Sequence, residues 1–377
     1  MNRNPLLRLR SYGQSVWLDA LNRPLLASGE LRRLIAEDGL AGMTSNPAIF
    51  EKAIAGSHDY DEAIRTLALG GKPAGEIYRA LAVEDIRLAA DQFRPLHDAL
   101  EGRDGFVSLE VSPRLARDTQ GSVAEARALW RAVDRPNIFI KIPATREGLP
   151  AIRQLISEGI NVNITLLFGL PRYRQVAEAY LAGLEERLSR GEAVDRVASV
   201  ASFFLSRIDV LLDPLLEKKR AAGGPQAERA AELLGEVAIA SAKAAYAIFS
   251  QLFGSPRFKD LLLKSARVQR LLWASTGTKN PAYSDVKYVE PLIGPQTINT
   301  LPLETFRAYR DHGKPAARLT DGLDAAERVL RTLPELGIDL DEATQRLEDE
   351  GIQKFVKPFD LLLDRLAERR TALTGSE

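Results

Sequence analysis

The sequence predicts an α/β fold, a (β/α)8 (TIM) barrel with additional helices. Two observations lead to this prediction. Eight short apolar segments alternate with segments of helical periodicity along 377 residues. Several of these segments also place polar residues on one face and aliphatic residues on the other, as strands of a barrel with a polar interior would. A doubly wound sheet is the main alternative, but the first strand is not followed by a GxGxxG turn.

The predicted strands are short and apolar, with turn signals between them, and they lie at 15–21, 39–45, 106–112, 137–143, 161–168, 199–205, 271–276 and 297–301. Helices are predicted between them. One begins at a capping box formed by Ser122 and Glu125, and the alanine-rich segment 225–252 has a period of about 3.6 residues.

The whole chain, 1–377, is predicted to form one barrel domain. Segments 47–105 and 209–269 are longer than barrel connections need to be, and their patterns indicate helical insertions. A helical extension is expected at 303–377. No linker rich in proline, glycine or serine divides the chain, and no internal repeat of 20 to 50 residues is present.

Composition excludes several classes of function. Lysine plus arginine equals aspartate plus glutamate at 51 each, so no net charge attracts nucleic acid or a membrane surface. Cysteine is absent, and the three histidines show no metal-binding spacing, so we expect no metal. The N-terminus lacks the apolar core of a signal peptide and no stretch approaches ~20 apolar residues, which predicts a cytoplasmic protein. The sequence does not indicate an oligomeric state.

Lys141 interrupts the apolar strand 137–143, and strand parity gives its direction. Successive side chains alternate between faces, so Lys141 shares a face with Phe139 and not with the neighbouring isoleucines. The same parity places Asp19 beside Trp17, and Glu110 beside Ser108. It also separates Asn163 and Thr165 from Val162, Ile164 and Leu166. Four strands therefore send polar or charged groups towards the barrel interior.

A buried lysine in such surroundings is suited to covalent chemistry. Burial disfavours an ammonium and a nearby carboxylate favours it, so the balance can leave part of the amine neutral and nucleophilic towards carbonyls. The simpler interpretation is a buried ion pair or a lysine that reaches solvent. A core without a cavity would have little use for so many polar groups, and this favours the chemical interpretation.

Six motifs in order carry a resemblance to a known family: GMTSNPAIFEKAI (42–54), SLEVSPRLARDTQ (108–120), IFIKIPAT (138–145), EGINVNITLLF (158–168), SFFLSRID (202–209) and LLWASTGTKNP (271–281). They resemble the motifs of transaldolase, most closely its long bacterial form, from about residue 15 to FVKPFDLLLDRL (355–366). The resemblance implies a class I aldolase barrel of the pentose phosphate pathway that uses a Schiff-base lysine and no cofactor. Such an enzyme moves a dihydroxyacetone unit from sedoheptulose 7-phosphate to glyceraldehyde 3-phosphate, giving erythrose 4-phosphate and fructose 6-phosphate.

The resemblance implies a catalytic role for four residues. Lys141 would be the Schiff-base nucleophile and Asp19 the general acid and base for carbon–carbon cleavage. Glu110 and Thr165 would hold a catalytic water. Each has a simpler interpretation: Glu110 could serve only as an ion-pair partner of Lys141, and Thr165 as a satisfied hydroxyl at a strand end.

Six further residues are implied to bind the phosphorylated sugars, the only partners expected. Asn46 and Asn163 would contact hydroxyls of the bound fragment. Both have simpler interpretations: Asn46 before Pro47 also fits a helix N-cap, and Asn163 could cap the polar end of a strand. Ser202, Arg207 and Ser275 would hold the phosphate. The shorter form of the family has a second arginine near Lys279, so the role of Lys279 is the weaker inference.

Two other classes stay open. Another Schiff-base sugar-phosphate aldolase, of the fructose 6-phosphate aldolase kind, would share the lysine but release the three-carbon piece. A non-catalytic sugar-phosphate-binding barrel would keep Arg207 and the serines without needing Lys141, Asp19 and Glu110 in one cavity.

Overall fold

Eight parallel strands form a closed barrel in the computed structural model, which describes residues 4–374. The strands follow one another around the barrel in chain order, and β1 pairs with β8 to close it. Their bounds are β1 Gln14–Asp19, β2 Leu40–Thr44, β3 Phe106–Glu110, β4 Ile138–Pro143, β5 Val162–Leu167, β6 Ser199–Phe204, β7 Arg270–Ala274 and β8 Thr297–Leu301. The predicted barrel and all eight predicted strands are confirmed, with bounds that differ by at most two residues.

Sixteen α-helices lie within residues 4–374: α1 Pro5–Leu9, α2 Arg23–Ala27, α3 Glu30–Asp38, α4 Pro47–Ala55, α5 Asp61–Leu69, α6 Ala74–Ala99, α7 Thr119–Val133, α8 Gly148–Ser157, α9 Leu170–Ser189, α10 Ser206–Ala221, α11 Ala227–Leu233, α12 Val237–Phe253, α13 Pro256–Leu262, α14 Leu303–His312, α15 Leu323–Glu335 and α16 Leu340–Thr374. Helices thus occupy much of both predicted insertions and of the C-terminal extension. The division of the chain into a single domain stays a prediction.

The predicted capping box at Ser122 and Glu125 is wrong. Helix α7 begins one turn earlier, where the Asp118 side chain accepts a hydrogen bond from Gly121 N (2.9 Å). Ser122 lies inside the helix and donates to Leu115 O (3.0 Å), while Glu125 accepts from the backbone N–H of Ser112 (2.7 Å). Aspartate is as good an N-cap as serine, so the earlier residue starts the helix.

The alanine-rich segment 225–252 forms two helices, α11 and α12, and not one. The break at residues 234–236 contains Gly235, whose φ of 72° does not fit a right-handed helix. Among the described residues, no single helix is long and apolar enough to cross a membrane. The pair α11 and α12, bent by 64°, meets the length and composition criteria only when both are taken together.

Aromatic side chains fill the interior of the barrel beneath its polar layer. The Trp17 ring lies 6.1 Å from that of Phe139, which lies 4.4 Å from that of Phe106. Gly42 makes room for Trp17, since a Cβ at residue 42 would come within 2.4 Å of the indole ring. The indole N–H donates to Asp104 (2.8 Å). Because Trp17 and Phe139 point inward, Asp19 and Lys141, two residues later on the same strands, share that direction.

Helix α16 is held by packing and by ion pairs. It contacts α4, α5, α6 and α10, and its own side chains Leu362 and Leu366 are buried. Arg114 pairs with Asp360 (2.7 Å) and Arg117 with Asp349 (2.6 Å). Both pairs are exposed and each contributes ~1 kcal/mol at most, so apolar burial does most to hold the helix.

Asp209 connects α10 to α12 and to the segment after β7. Its two oxygens accept hydrogen bonds from Ala238 N and from the Tyr288 hydroxyl, both at 2.8 Å. Burial raises the pKa of Asp209 to about 6, although both hydrogen bonds oppose the shift. The folded protein therefore holds this proton more tightly than the unfolded chain, whose aspartates titrate near ~4.

We expect Asp209→Asn to weaken the pH dependence of stability. The stabilising effect of the raised pKa is full below pH ~4 and is lost as pH rises through about 6. Between pH ~4 and about 6, the free energy of unfolding of the native protein should fall by up to ~3 kcal/mol because of Asp209. The variant has no carboxyl at this position and should not show this decrease. Urea unfolding at a series of pH values measures this, with Asp364→Asn on the exposed face of α16 as control. Parallel curves for the native protein and Asp209→Asn would contradict the prediction.

Candidate active site

A cavity of about 210 Å³ opens at the carboxyl ends of the strands. It is smaller than the ~300–1,000 Å³ typical of sites for drug-sized ligands, which suits a small substrate. Eight of the ten residues predicted from the sequence line it, namely Asp19, Asn46, Lys141, Thr165, Ser202, Arg207, Ser275 and Lys279. The other two, Glu110 and Asn163, are buried beside this lining and bond to it.

Lys141 lies in the middle of β4 with only 4% of its surface exposed. Its Nζ donates to Glu110 Oε2 (3.1 Å) and to the backbone oxygen of Ser45 (3.0 Å). The strands set this geometry, because Glu110 of β3 stands opposite Lys141 in the register. Burial raises the pKa of the Glu110 carboxyl, and the neighbouring ammonium opposes the shift.

Asp19 ends β1 on the opposite side of the cavity. The Thr44 hydroxyl donates to Asp19 Oδ1 (2.6 Å) and is 2.8 Å from the Thr300 hydroxyl, which leaves Thr300 as the donor to Thr44. Burial raises the pKa of Asp19, while the Thr44 hydrogen bond and the charges of Lys141, Lys279 and Arg207 oppose the shift. The carboxylate is thus oriented by two hydroxyls and kept more basic than an ordinary aspartate.

Asn163 joins three strands below the cavity. It stands opposite Lys141 in the register of β4 and β5, donates to Ser108 Oγ (3.0 Å) and accepts from Ser202 Oγ (2.6 Å). The hydroxyl proton of Ser202 is therefore already engaged, although its oxygen can still accept. This network fixes the floor of the cavity next to the lysine.

Two buried oxygen atoms beside Lys141 have no hydrogen-bond partner among the described residues. They are Glu110 Oε1 and Thr165 Oγ1. An unpaired buried polar atom costs ~1–3 kcal/mol, so such atoms call for a further polar partner. Directly after Thr165 the strand bulges, and Leu166 takes a left-handed backbone conformation (φ 54°). The bulge interrupts the strand alternation that the sequence predicts through Leu166, and the Leu166 side chain lies against α16 at Gly351.

Asn46 serves as the N-cap of α4, and it also lines the cavity. Its side-chain oxygen accepts a hydrogen bond from Ile49 N (3.0 Å), and Pro47 occupies the first helical position. The capping interpretation is therefore confirmed. It uses only the amide oxygen, which leaves the amide N–H groups for a ligand.

Arg207 lies near two aromatic rings at the wall of the cavity. Its Cζ is 5.5 Å from the centre of the Phe204 ring and 5.8 Å from that of Phe355. Its Nη1 is buried and has no hydrogen-bond partner in residues 4–374. The guanidinium thus has cation–π contacts with both rings and an unpaired N–H group, and that group is left for an anion.

The remaining two predicted phosphate-binding residues come from the segment after β7. Ser275 has a left-handed backbone conformation (φ 54°), and its hydroxyl is 2.9 Å from that of Ser206. Lys279 is exposed at the mouth of the cavity and has no ion pair with any described residue. Of the two cations, Arg207 is the more firmly positioned.

Seven lining residues were missed in the sequence, namely Thr44, Phe204, Ala274, Gly277, Thr300, Pro302 and Phe355. Thr44 and Thr300 lie at the carboxyl ends of β2 and β8, the two strands that pair with β1 next to Asp19. Aligning the ends of the predicted strands around the barrel would therefore have identified both residues. Phe204 lies inside a recognised motif. Phe355 belongs to a helix, where an apolar residue is typical of ordinary core packing. The described part of the chain contains no cluster of three or more histidine, aspartate or glutamate residues placed to hold a metal ion.

The fold and site define a class of protein: a parallel (β/α)8 barrel whose polar cavity contains a buried amine near two carboxylates, with an arginine at its wall. The chain belongs to the transaldolase/fructose-6-phosphate aldolase family, whose model matches residues 16–366. It is 47% identical over 375 residues to the transaldolase of Trichodesmium erythraeum, an alignment that covers 98% of this chain and 99% of that protein. It is 48% identical to the transaldolase of Thermobifida fusca over 372 residues, covering 98% and 100% of the two chains. Against transaldolase 2 of Nostoc punctiforme the identity is 46% over 379 residues, with 99% and 100% covered.

Proposed function

We propose that this protein is a transaldolase. It transfers a dihydroxyacetone unit from sedoheptulose 7-phosphate to glyceraldehyde 3-phosphate, giving erythrose 4-phosphate and fructose 6-phosphate, and it acts through a Schiff base on Lys141. The observation that carries the proposal is the buried amine of Lys141, 3.1 Å from the Glu110 carboxylate and in the same cavity as Asp19. The full-length similarity to proteins named transaldolase supports the choice of reaction. A cytoplasmic location and a place in the pentose phosphate pathway are parts of the proposal.

Lys141 attacks the ketone carbon of the donor sugar. The resulting carbinolamine must lose water, which needs proton transfer at the oxygen and the nitrogen. Glu110 Oε1 and Thr165 Oγ1, both buried and unpaired within the described chain, are suited to hold a water molecule that carries these protons. The product is an iminium ion, which accepts the electrons of the carbon–carbon bond when that bond breaks.

Asp19 acts as the base in that cleavage step. It takes the proton from the hydroxyl next to the scissile bond, the aldehyde product leaves, and an enamine of three carbons stays on Lys141. Its raised pKa makes it a better proton acceptor than an ordinary aspartate, and the hydroxyl of Thr44 keeps it oriented. In the reverse direction Asp19 returns the proton to the acceptor. Asn46 and Asn163 hold hydroxyls of the bound fragment.

The phosphate binds at Arg207, with Ser202 and Ser275 beside it and Lys279 at the entrance. The unpaired Nη1 of Arg207 supports this assignment, because a guanidinium binds phosphate through parallel N–H groups. Lys279 contributes a point charge from an exposed position, so screening by solvent limits its effect.

We expect Arg207→Ala to raise KM for phosphorylated substrates. A buried charge-assisted hydrogen bond is worth ~1.5–3 kcal/mol, which corresponds to a rise of about 10- to 150-fold. Lys279→Ala should have a smaller effect because Lys279 is exposed. Steady-state kinetics with fructose 6-phosphate measure both variants, and unphosphorylated fructose is the control donor. A KM for fructose 6-phosphate that does not change in Arg207→Ala would move the phosphate site elsewhere.

A fructose 6-phosphate aldolase activity is the second candidate, because the matching family includes both reactions. Borohydride reduction in the presence of fructose 6-phosphate traps a Schiff base in either enzyme. A non-catalytic sugar-phosphate-binding barrel would give no adduct. The dependence of turnover on an aldehyde acceptor then separates the two enzymes: a transaldolase needs the acceptor, and an aldolase releases dihydroxyacetone without one.

A further inference from the structure

Phe355 reaches the cavity from the C-terminal helix α16. Its side chain is buried, and the centre of its ring lies 5.9 Å from Lys141 Nζ and 5.8 Å from Arg207 Cζ. It thus contacts both ends of the proposed reaction site, the amine and the phosphate-binding guanidinium. It is the lining residue that α16 contributes among those described.

The close approach of α16 to the barrel depends on Gly351, one turn before Phe355. A Cβ at residue 351 would lie 3.0 Å from Leu166 Cδ2, 3.6 Å from Arg207 Nη1 and 3.7 Å from the Phe168 ring. Residues four apart lie on the same face of a helix, so Gly351 and Phe355 face the barrel together. The glycine brings the helix down onto the bulged end of β5, and the phenylalanine then enters the cavity.

The next turn of α16 fixes the position of Phe355. The Phe359 ring packs edge-on against Tyr78 of α6 at 5.3 Å, and the Arg114 guanidinium lies 5.8 Å from the same ring. Phe359 does not line the cavity. The helix is therefore held beside the site by residues other than Phe355, and Phe355 is available for a role inside it.

We propose that Phe355 determines reaction specificity by keeping solvent water away from the nucleophilic carbon of the three-carbon enamine on Lys141, so that this carbon bonds to an aldehyde acceptor and is not protonated and released. The inference rests on the proposed function. A large apolar ring beside the amine occupies space that solvent water would otherwise fill, and solvent is the proton donor that competes with the acceptor for the enamine carbon. The water assigned to Glu110 and Thr165 is a separate one that serves the carbinolamine steps. An aldehyde acceptor is not excluded, because it enters from the side of Arg207 and Lys279, where its phosphate binds.

The two fates of the enamine differ in a defined way. In transfer, its nucleophilic carbon forms a bond to the acceptor aldehyde carbon, and Asp19 gives a proton to the new hydroxyl oxygen. In release, that carbon takes a proton instead, and one water molecule adds to the resulting iminium carbon. The carbon–nitrogen bond then breaks, the ketone oxygen of free dihydroxyacetone comes from the water, and Lys141 returns to the amine with a proton given back to solvent. The water assigned to Glu110 and Thr165 can serve the hydrolysis, so release needs in addition a proton donor at the enamine carbon.

The test measures how the enamine divides between these fates in Phe355→Leu, Phe355→Val and Phe355→Ala. Each protein receives fructose 6-phosphate with and without erythrose 4-phosphate, and free dihydroxyacetone and sedoheptulose 7-phosphate are measured. The ratio of release to transfer should rise with the side-chain volume removed, by at least about tenfold in the alanine variant. In heavy water the released dihydroxyacetone should carry deuterium at the former enamine carbon. If alanine does not fold, the valine variant decides by the same ratio.

Phe359→Ala is the matched control, since it removes the same ring from the same helix without opening the cavity. A release-to-transfer ratio that stays at the native value in all Phe355 variants overturns the inference, and so does an equal rise in Phe359→Ala, which would assign the effect to helix packing. Borohydride trapping of the native protein distinguishes a failure of the proposed function from a failure of the role given to Phe355. Absence of an adduct there rejects the proposed function, whereas an adduct with normal transfer and an unchanged ratio rejects only the role of Phe355.

Discussion

Lys141→Ala is expected to give a folded protein that forms no borohydride adduct and has essentially no turnover. The substitution removes the only nucleophile in the proposed mechanism and the electron sink formed from it. We expect the rate to fall by at least about 10⁴-fold, since the covalent route supplies much of the barrier reduction that an enzyme provides. Mass spectrometry after reduction with fructose 6-phosphate detects the adduct, and steady-state assays measure the turnover. Normal turnover in this variant would dismiss the mechanism.

Stability is the necessary control for that experiment. Removing one partner of a buried ion pair costs ~3–5 kcal/mol when the other charge stays unpaired. The raised pKa of Glu110 reduces this cost, because the carboxyl can take up a proton in the variant. Lys141→Ala combined with Glu110→Gln removes the unpaired carboxylate altogether. If the double variant is as stable as the native protein and as inactive as Lys141→Ala, loss of folding does not explain the loss of activity.

Asp19→Ala should have the second largest effect, with a different signature. The variant keeps Lys141, so it should still form the adduct with fructose 6-phosphate. It should then fail at carbon–carbon cleavage, with kcat lower by ~10²–10⁴-fold, the usual contribution of a general base. Trapping and single-turnover kinetics separate the two steps. Exchange of three-carbon units at the native rate would show that Asp19 is not the base.

The pH profile gives an independent check on Asp19. A base works only when deprotonated, and burial raises the pKa of Asp19, so activity should fall on the acid side at a higher pH than for an ordinary carboxylate. Thr44→Val removes a hydrogen bond that opposes this shift. Its acid limb should therefore move to still higher pH. A profile of Thr44→Val that coincides with the native one would contradict the role given to the threonine.

The barrel could be predicted from the sequence because each strand carries its own signal. The alternation of residues around Lys141 and Glu110 holds in the structure, and the register of β3 and β4 places the two side chains within 3.1 Å. Parity is a local property that needs no knowledge of distant contacts. The alternation failed where the backbone departs from an ideal strand, at the bulge beside Leu166.

The rest of the cavity depends on contacts that local patterns do not encode. Phe355 could not be predicted because an apolar residue in an amphipathic helix has the same pattern whether it fills a core or faces a substrate. Thr300 lies far from Asp19 in sequence, and only the closed barrel brings it near. The sequence pointed to Asn163 for the sugar hydroxyls but did not indicate that it also bonds to Ser108 and Ser202 at the floor of the cavity.

The contact between Thr44 and Thr300 joins residues 256 positions apart. It lies where the first strands of the barrel meet the last, so the pocket around Asp19 takes shape only when the ring of strands closes. Contacts of such large sequence separation form slowly, because much chain entropy is lost before they are made. A partly folded chain could therefore contain most of its helices and still lack a binding pocket, and ligand binding would report the final stage of folding.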